Sequence, residues 1–376
     1  MYDFRELKKY MESLEDAGIP LCGIEVRHHH KTVFRDFEGY EDAEKTRKMN
    51  ENSLVWLFSV TKVVTCIAAM RLVEEGKLGL DDRLDKYIPE FSEMKVNEKG
   101  NLRPASTPIL VRHLFSMSAG LTYNCNSPSL LEARKNSGAT TLDVVRAMAL
   151  EPLEFDPGTD YRYSFCHDVL AALIEVVSGM TFGEYLKKII FEPLGITNMG
   201  FVLSDEDQKR MAQQYTYNMA NYTSSVREIA NGYRLTDRYE SGGAGLYATV
   251  TDYVKIPDTI ACGGVSEDGY RLLRPETIAL MEKNELCEKG LKTFRASPRQ
   301  HGYGWGLCGR VHIRPEISLA KSPAGEFGWD GAAASYALID RKTELAVFFA
   351  THVMGCGYAY ERIHPHIRDL IYTEIK

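Results

Sequence analysis

The sequence predicts an α+β fold: one antiparallel sheet flanked by helices, interrupted by a mainly helical insert. Three observations predict it. A helix followed by a hairpin pattern opens the chain, strand-like segments and an amphipathic helix close it, and helix signals dominate between them. Elements from the two ends of the chain are therefore expected to share one sheet, with 1–80 and 234–376 forming a discontinuous sheet domain and 81–233 a helical one.

Phe4, Leu7, Met11 and Leu14 fall on one face of a helix that Gly18 can terminate. Leu21 to His28 and Thr32 to Tyr40 read as two strands. The turn between them carries His28, His29, His30 and Lys31. Three adjacent histidines suggest a metal, but neighbours on an extended chain point to opposite faces, so an exposed turn is expected. From Ser59 to Glu75 the apolar residues Val63, Ile67, Met70 and Leu72 give a helix a buried side; Gly76 ends it, and Ser59 sits at its first turn. In the insert, Thr107 with Pro108 reads as a helix N-cap and first helical position, and Thr181 with Glu184 as a capping box.

A Gly-rich turn follows at Ser241-Gly242-Gly243-Ala244-Gly245, and helix patterns start from Thr251 and Pro275. Tyr303 to Ile313, Ala334 to Asp340 and Glu344 to His352 are strand-like. The last amphipathic run, with Ile363, Ile367, Leu370 and Ile371, reads as a closing helix interrupted early by Pro365.

With 376 residues, 44% of them hydrophobic and 26% charged, the chain can bury a core and enclose a cleft. Its formal charge of -7 and scattered Lys and Arg residues argue against a nucleic-acid partner. The N-terminal run MYDFRELKKYMESLEDAG lacks the apolar core of an export signal, and no stretch reaches the roughly 18 apolar residues of a membrane span, so a cytoplasmic protein without membrane contact is expected. The eight cysteines lie far apart with no C-x-x-C pair, which suggests buried thiols rather than a zinc or redox site.

Several catalytic signatures are missing from the sequence: G-x-S-x-G, H-E-x-x-H and the phosphate loop. Gly304 to Gly309 matches G-x-G-x-x-G, but strand-like Arg310 to Ile313 follows where a dinucleotide site requires a helix. Cys166-His167-Asp168 is adjacent in sequence, whereas catalytic groups meet in space. S-x-x-K occurs at Ser59–Lys62, Ser92–Lys95 and Ser318–Lys321. Only Ser59 opens a buried helix, where residues three apart share a face and the amine of Lys62 can reach the hydroxyl of Ser59.

Around that pair the sequence resembles the serine β-lactamase superfamily, which includes class C β-lactamases, D-alanyl-D-alanine carboxypeptidases and family VIII carboxylesterases. The likeness runs through Leu57 to Lys62, Leu114 to Leu121, Pro157-Gly158-Thr159 with Tyr161-Arg162-Tyr163-Ser164, Gly242 to Leu246, Tyr303 to Gly306, and Gly328 to Gly331. The resemblance implies a β-lactamase/transpeptidase-like fold with Ser59 as acylated nucleophile, Lys62 as proton relay and Tyr163 as general acid or base. It also implies that Trp329, Asp330 and Gly331 form a strand edge facing the nucleophile, and that the backbone N–H groups of Ser59 and Ala332 form an oxyanion hole.

Two departures set the expected substrate. The family's Y-x-N motif reads Tyr163-Ser164-Phe165 here, and its K-T-G or H-x-G motif reads Trp329-Asp330-Gly331. Phe165 and Trp329 replace polar groups with apolar surface, as in the esterase branch. The expected reaction is hydrolysis of a small neutral ester through an acyl-serine intermediate, with no metal or organic cofactor, a small molecule as the partner, and the oligomeric state left open, a homo-oligomer included. The competing readings are a β-lactamase or D-amino-acid peptidase, and an inactive binding protein that keeps the fold.

Overall fold

The computed structural model describes residues 2–375. Seven strands form the principal sheet: β1 (Leu21–His28), β2 (Lys31–Gly39), β3 (Tyr303–Trp305), β4 (Arg310–His312), β5 (Phe327–Asp330), β6 (Tyr336–Asp340) and β7 (Leu345–Ala350). Their order is β3-β4-β5-β6-β7-β1-β2, antiparallel throughout, so the N-terminal hairpin completes a sheet begun by the C-terminal strands. Strands β6 and β7 are buried along their whole length, which requires cover on both faces. Helix α1 (Arg5–Ser13) packs on β2 and on the closing helix α4 (His364–Glu374), while the Lys255–Ala261 helix packs on β6 and β7.

The helix that follows Ser59, α2 (Thr61–Glu74), is buried at every residue from Thr61 to Met70, so it is a central helix rather than an amphipathic surface one. It packs against α3 (Cys166–Ser178) of the insert and touches β5. The 81–233 segment carries helices joined by long irregular stretches, and it also holds strands at Lys95–Glu98, Asn101–Pro104, Gln214–Asn218 and Thr223–Arg227, the third of which pairs in parallel with Val353–Met354. Among the described residues no single helix is long and apolar enough to cross a membrane. Helix α3 with Phe182–Phe191 reaches that length and composition only as a pair bent by 75°.

Several local expectations are corrected. Ser59 lies in a 3₁₀ turn, Phe58–Val60, just before α2 rather than inside its first turn. Thr107 caps no helix: its hydroxyl donates to the Pro157 carbonyl at 2.9 Å, and the next helix starts at Val111. Tyr303 to Ile313 is a hairpin, not one strand, because Gly306 N–H bonds the Gly309 carbonyl at 2.8 Å and turns the chain. Pro365 directly follows a π-helical turn, Ala359–Ile363, that runs into α4, so the closing helical run is irregular just ahead of the proline rather than ended by it. The capping box is present at Thr181 and Glu184. His29 and His30 form the β1–β2 turn with positive φ at both, and His29 is exposed, but His30 turns inward onto Asp258 at 2.9 Å. Arg27 already meets the same carboxylate at 3.1 Å.

One ion pair joins β4 to the end of β5. Arg310 lies 3.3 Å from Asp330, both side chains nearly buried, with the guanidinium over the Tyr303 and Tyr336 rings. Burial alone would raise the Asp330 carboxyl; the Arg310 charge, with His364, overrides that and holds it at about 2. Arg310→Met leaves that carboxylate buried with only His364 beside it, and should cost about 3–5 kcal/mol in urea denaturation at neutral pH. The native contribution is complete above about pH 4 and is lost as pH falls towards 2, so the gap between the two proteins should narrow over that window. A gap that stays constant down to pH 2 would show that the pair is not its source.

Candidate active site

Ser59 is placed by a strained turn. Phe58 has φ +48, a left-handed conformation costly for an aromatic residue, and its buried ring packs edge-on against Tyr233. The turn presents the Ser59 hydroxyl at the floor of a cleft of about 530 Å³, which is also lined by Tyr123, Tyr163, Trp329, Gly331 and Ala332.

Lys62, one turn on, is fully buried. Its Nζ lies 3.1 Å from Ser59 Oγ, within hydrogen-bond reach, and donates to the Gly243 carbonyl at 2.6 Å and to Tyr123 OH at 3.4 Å. It lies over the Tyr163 ring at 4.6 Å and the Tyr123 ring at 5.3 Å. No carboxylate comes within ion-pair distance of it among the described residues. The Gly243 carbonyl is aimed by the Gly-rich turn: Asp168 accepts from Tyr239 OH and Ser241 Oγ at 2.6 Å each and from Gly243 N–H at 3.3 Å. A Cβ at Gly243 would stand 2.4 Å from the Asp168 carboxylate, so only glycine fits this approach.

Tyr163 sits differently from a simple Ser–Lys–Tyr chain. Its hydroxyl accepts the Trp329 indole N–H at 3.0 Å, and among the described residues it has no hydrogen bond to Ser59 or Lys62. Tyr123, which the sequence motifs do not single out, is the tyrosine bonded to Lys62; burial, then the neighbouring tyrosines, push its hydroxyl well above the usual tyrosine value. Tyr233 stacks on it at 5.4 Å. Cys166, His167 and Asp168 do not act together: His167 is held neutral, pushed down to about 3 by burial and then by Lys62, and bonds the Phe115 carbonyl. No histidine lines the cleft among the described residues.

The far wall is the end of β5. Tyr360 OH donates to the Gly331 carbonyl at 2.8 Å, Gly331 N–H donates to Ser335, and Ser335 Oγ donates to the Leu57 carbonyl at 3.2 Å, which ties this wall to the Ser59 turn. A Cβ at Gly331 would meet Ser335 Oγ at 2.1 Å. The backbone N–H groups of Ser59 and Ala332 donate to no protein acceptor among the described residues. Two expected substrate contacts fall elsewhere. Phe165 lies behind the Tyr123 ring, 4.7 Å from it, and faces a separate small cavity, because the chain turns into α3 there. The Asp330 carboxylate points to Arg310 and His364, so it supports the wall rather than facing a substrate. The other two S-x-x-K lysines leave their serines: Lys95 lies in a β-strand, and Lys321 bonds Thr373.

Comparison with known proteins matches the family described as Beta-lactamase over residues 6–364. Esterase EstB of Burkholderia gladioli is 26% identical over 374 residues, covering 93% of this chain and 89% of that protein. Lovastatin esterase of Penicillium rubens is 30% identical over 355 residues, covering 87% and 86%. Among solved structures, EstCE1, described as a hydrolase with promiscuous acyltransferase activity, superposes with a TM-score of 0.80 at 25% identity over 97% of both chains. Simvastatin synthase of Aspergillus terreus gives the same score at 24% identity over 99% of both, a likeness of fold. The chain belongs to the beta-lactamase family and is a serine hydrolase with esterases among its relatives.

Proposed function

We propose that the protein is a carboxylesterase acting on small esters through an acyl-serine intermediate. The observation that carries the reading is the Ser59–Lys62 contact at the floor of an aromatic cleft that no histidine lines among the described residues, which leaves lysine and tyrosine as the proton carriers. Lys62 takes the Ser59 proton as Oγ bonds the ester carbonyl carbon. The oxyanion formed there is received by the unpaired amides of Ser59 and Ala332. The carbon–alkoxide bond then breaks, and Tyr163 supplies the departing alkoxide with a proton; the Trp329 N–H and the nearby Lys62 charge stabilise the phenolate left behind. Water then bonds the acyl carbon as the Tyr163 phenolate takes its proton, the bond from that carbon to Ser59 Oγ breaks, and Lys62 returns its proton to Oγ as the acid leaves. Tyr123, kept a neutral phenol by burial, holds the Lys62 amine in place. An inactive binding protein would have no need of a buried lysine on the serine. The eight cysteines, all free thiols, suit a reducing compartment such as the cytoplasm.

Tyr163→Phe should lower kcat by on the order of 100-fold or more, the range of general acid–base catalysis. Tyr123→Phe, which loses one neutral hydrogen bond, should lower it by about tenfold. A loss below about threefold at Tyr163 in a folded protein, or a larger loss at Tyr123 than at Tyr163, would assign the proton transfer to Tyr123.

Trp329 presents one N–H, already given to Tyr163, and a large apolar face, so it cannot meet a carboxylate placed beside the reacting carbonyl. Short uncharged p-nitrophenyl esters should exceed nitrocefin in kcat/KM by about ten- to a hundredfold, the cost of one missing charged hydrogen bond. Equal values, or a preference for nitrocefin, would make the protein a β-lactamase that uses the same serine.

A further inference from the structure

The cleft wall is rich in aromatic rings, with Tyr161, Tyr233, Phe294 and Tyr360 beside the groups already described; among the described residues its lining carries one cationic side chain, Arg299, and one carboxylate, Asp330, which is paired with Arg310. Arg299 is exposed, in the 3₁₀ turn Pro298–Gln300, and its side chain makes no hydrogen bond or ion pair among the described residues. It is nevertheless positioned. The guanidinium stacks 5.1 Å from the centre of the Tyr360 ring, and Tyr360 is itself anchored to the Gly331 carbonyl. Gln300, the next residue, is buried and pins the turn.

The neighbouring charges are already matched. A second, smaller cavity of about 280 Å³ lies against Arg299 and Tyr360 and also holds Arg310 and Arg368. Arg310 is paired with Asp330, while Arg368 is paired with Asp369 at 2.8 Å and donates to Tyr303 OH at 2.9 Å. Glu361, exposed in the same lining, forms no ion pair with Arg299. The cleft therefore contains one positive charge without an ion-pair partner among the described residues, on a ring-stacked, planar five-donor group beside aromatic walls. A planar guanidinium so placed suits a carboxylate, which it can bind through two parallel hydrogen bonds.

We propose that Arg299 reads a free carboxylate on the substrate, so that the preferred esters are hemi-esters: one end reacts at Ser59, an apolar chain lies along the aromatic wall, and the other end remains an anion. This rests on the esterase reading. It narrows that reading, because the charge is received at Arg299 rather than beside Trp329.

The test compares p-nitrophenyl hydrogen adipate and suberate, chains too long for rapid self-cleavage through an anhydride, with the same compounds capped as methyl esters. The wild-type protein should favour the free acid over its capped partner in kcat/KM by about tenfold or more, chiefly through KM, and raising the salt should erode that ratio. In Arg299→Gln the ratio should fall to near one and lose its salt dependence. Arg299→Lys should restore part of it, and Arg299→Glu should reverse it. Equal use of the acid and the capped ester by the wild-type protein, or an equal loss on both in Arg299→Gln, would overturn the role of Arg299 while leaving the esterase intact. Failure to cleave either compound, or any short ester, would sink the esterase reading itself.

Discussion

The amine of Lys62, buried with no carboxylate in ion-pair distance among the described residues, is the constraint on which this active site depends. Holding a positive charge on that amine away from water costs several kcal/mol unless other groups compensate, and Lys62 is fully buried in a helix that is itself enclosed on every side. The compensation comes from three oxygens, on Ser59, Gly243 and Tyr123, and from two aromatic faces. Each of those groups comes from a different part of the chain. Seating one amine therefore fixes the Ser59 turn, the Gly-rich turn and the tyrosine wall relative to one another.

The supporting contacts extend from that centre. Asp168, buried in the insert, holds the Gly-rich turn so that the Gly243 carbonyl faces Lys62. Ser335 and Tyr360 hold the end of β5 against the Ser59 turn, and the Arg310–Asp330 pair secures the same strand from behind. The principal sheet supplies one wall of the cleft and the insert the other. Trp329, on the sheet, and Tyr163, on the insert, meet across it through a single hydrogen bond.

What the sequence revealed followed the range of the interactions involved. Ser59 and Lys62 were legible because they are three residues apart, and the 3₁₀ turn that leads into α2 brings such neighbours to one side as a helix does. The N-terminal hairpin, the closing helix and the Thr181 capping box were legible for the same reason. Tyr123, Tyr360 and Arg299 were not, because they reach the cleft through long-range packing that leaves no local periodicity. Phe165 was misplaced because its neighbour Tyr163 does line the cleft, yet Tyr123 stands between Phe165 and the open space. Thr107 with Pro108 has the composition of a helix start, but tertiary contact with Pro157 holds it in an irregular segment. The Tyr303–Ile313 segment reads as continuous strand by pattern, and only the cross-chain bond between Gly306 and Gly309 reveals the turn.

The account's central claim is that Ser59 alone is the acyl-accepting nucleophile. Incubation with an ester-mimicking p-nitrophenyl phosphonate, followed by intact-mass measurement and peptide mapping, tests it directly. One covalent adduct per chain at Ser59, lost together with ester turnover in Ser59→Ala, is the expected result. An adduct at Ser92 or Ser318, or ester turnover that survives in Ser59→Ala, would contradict the mechanism.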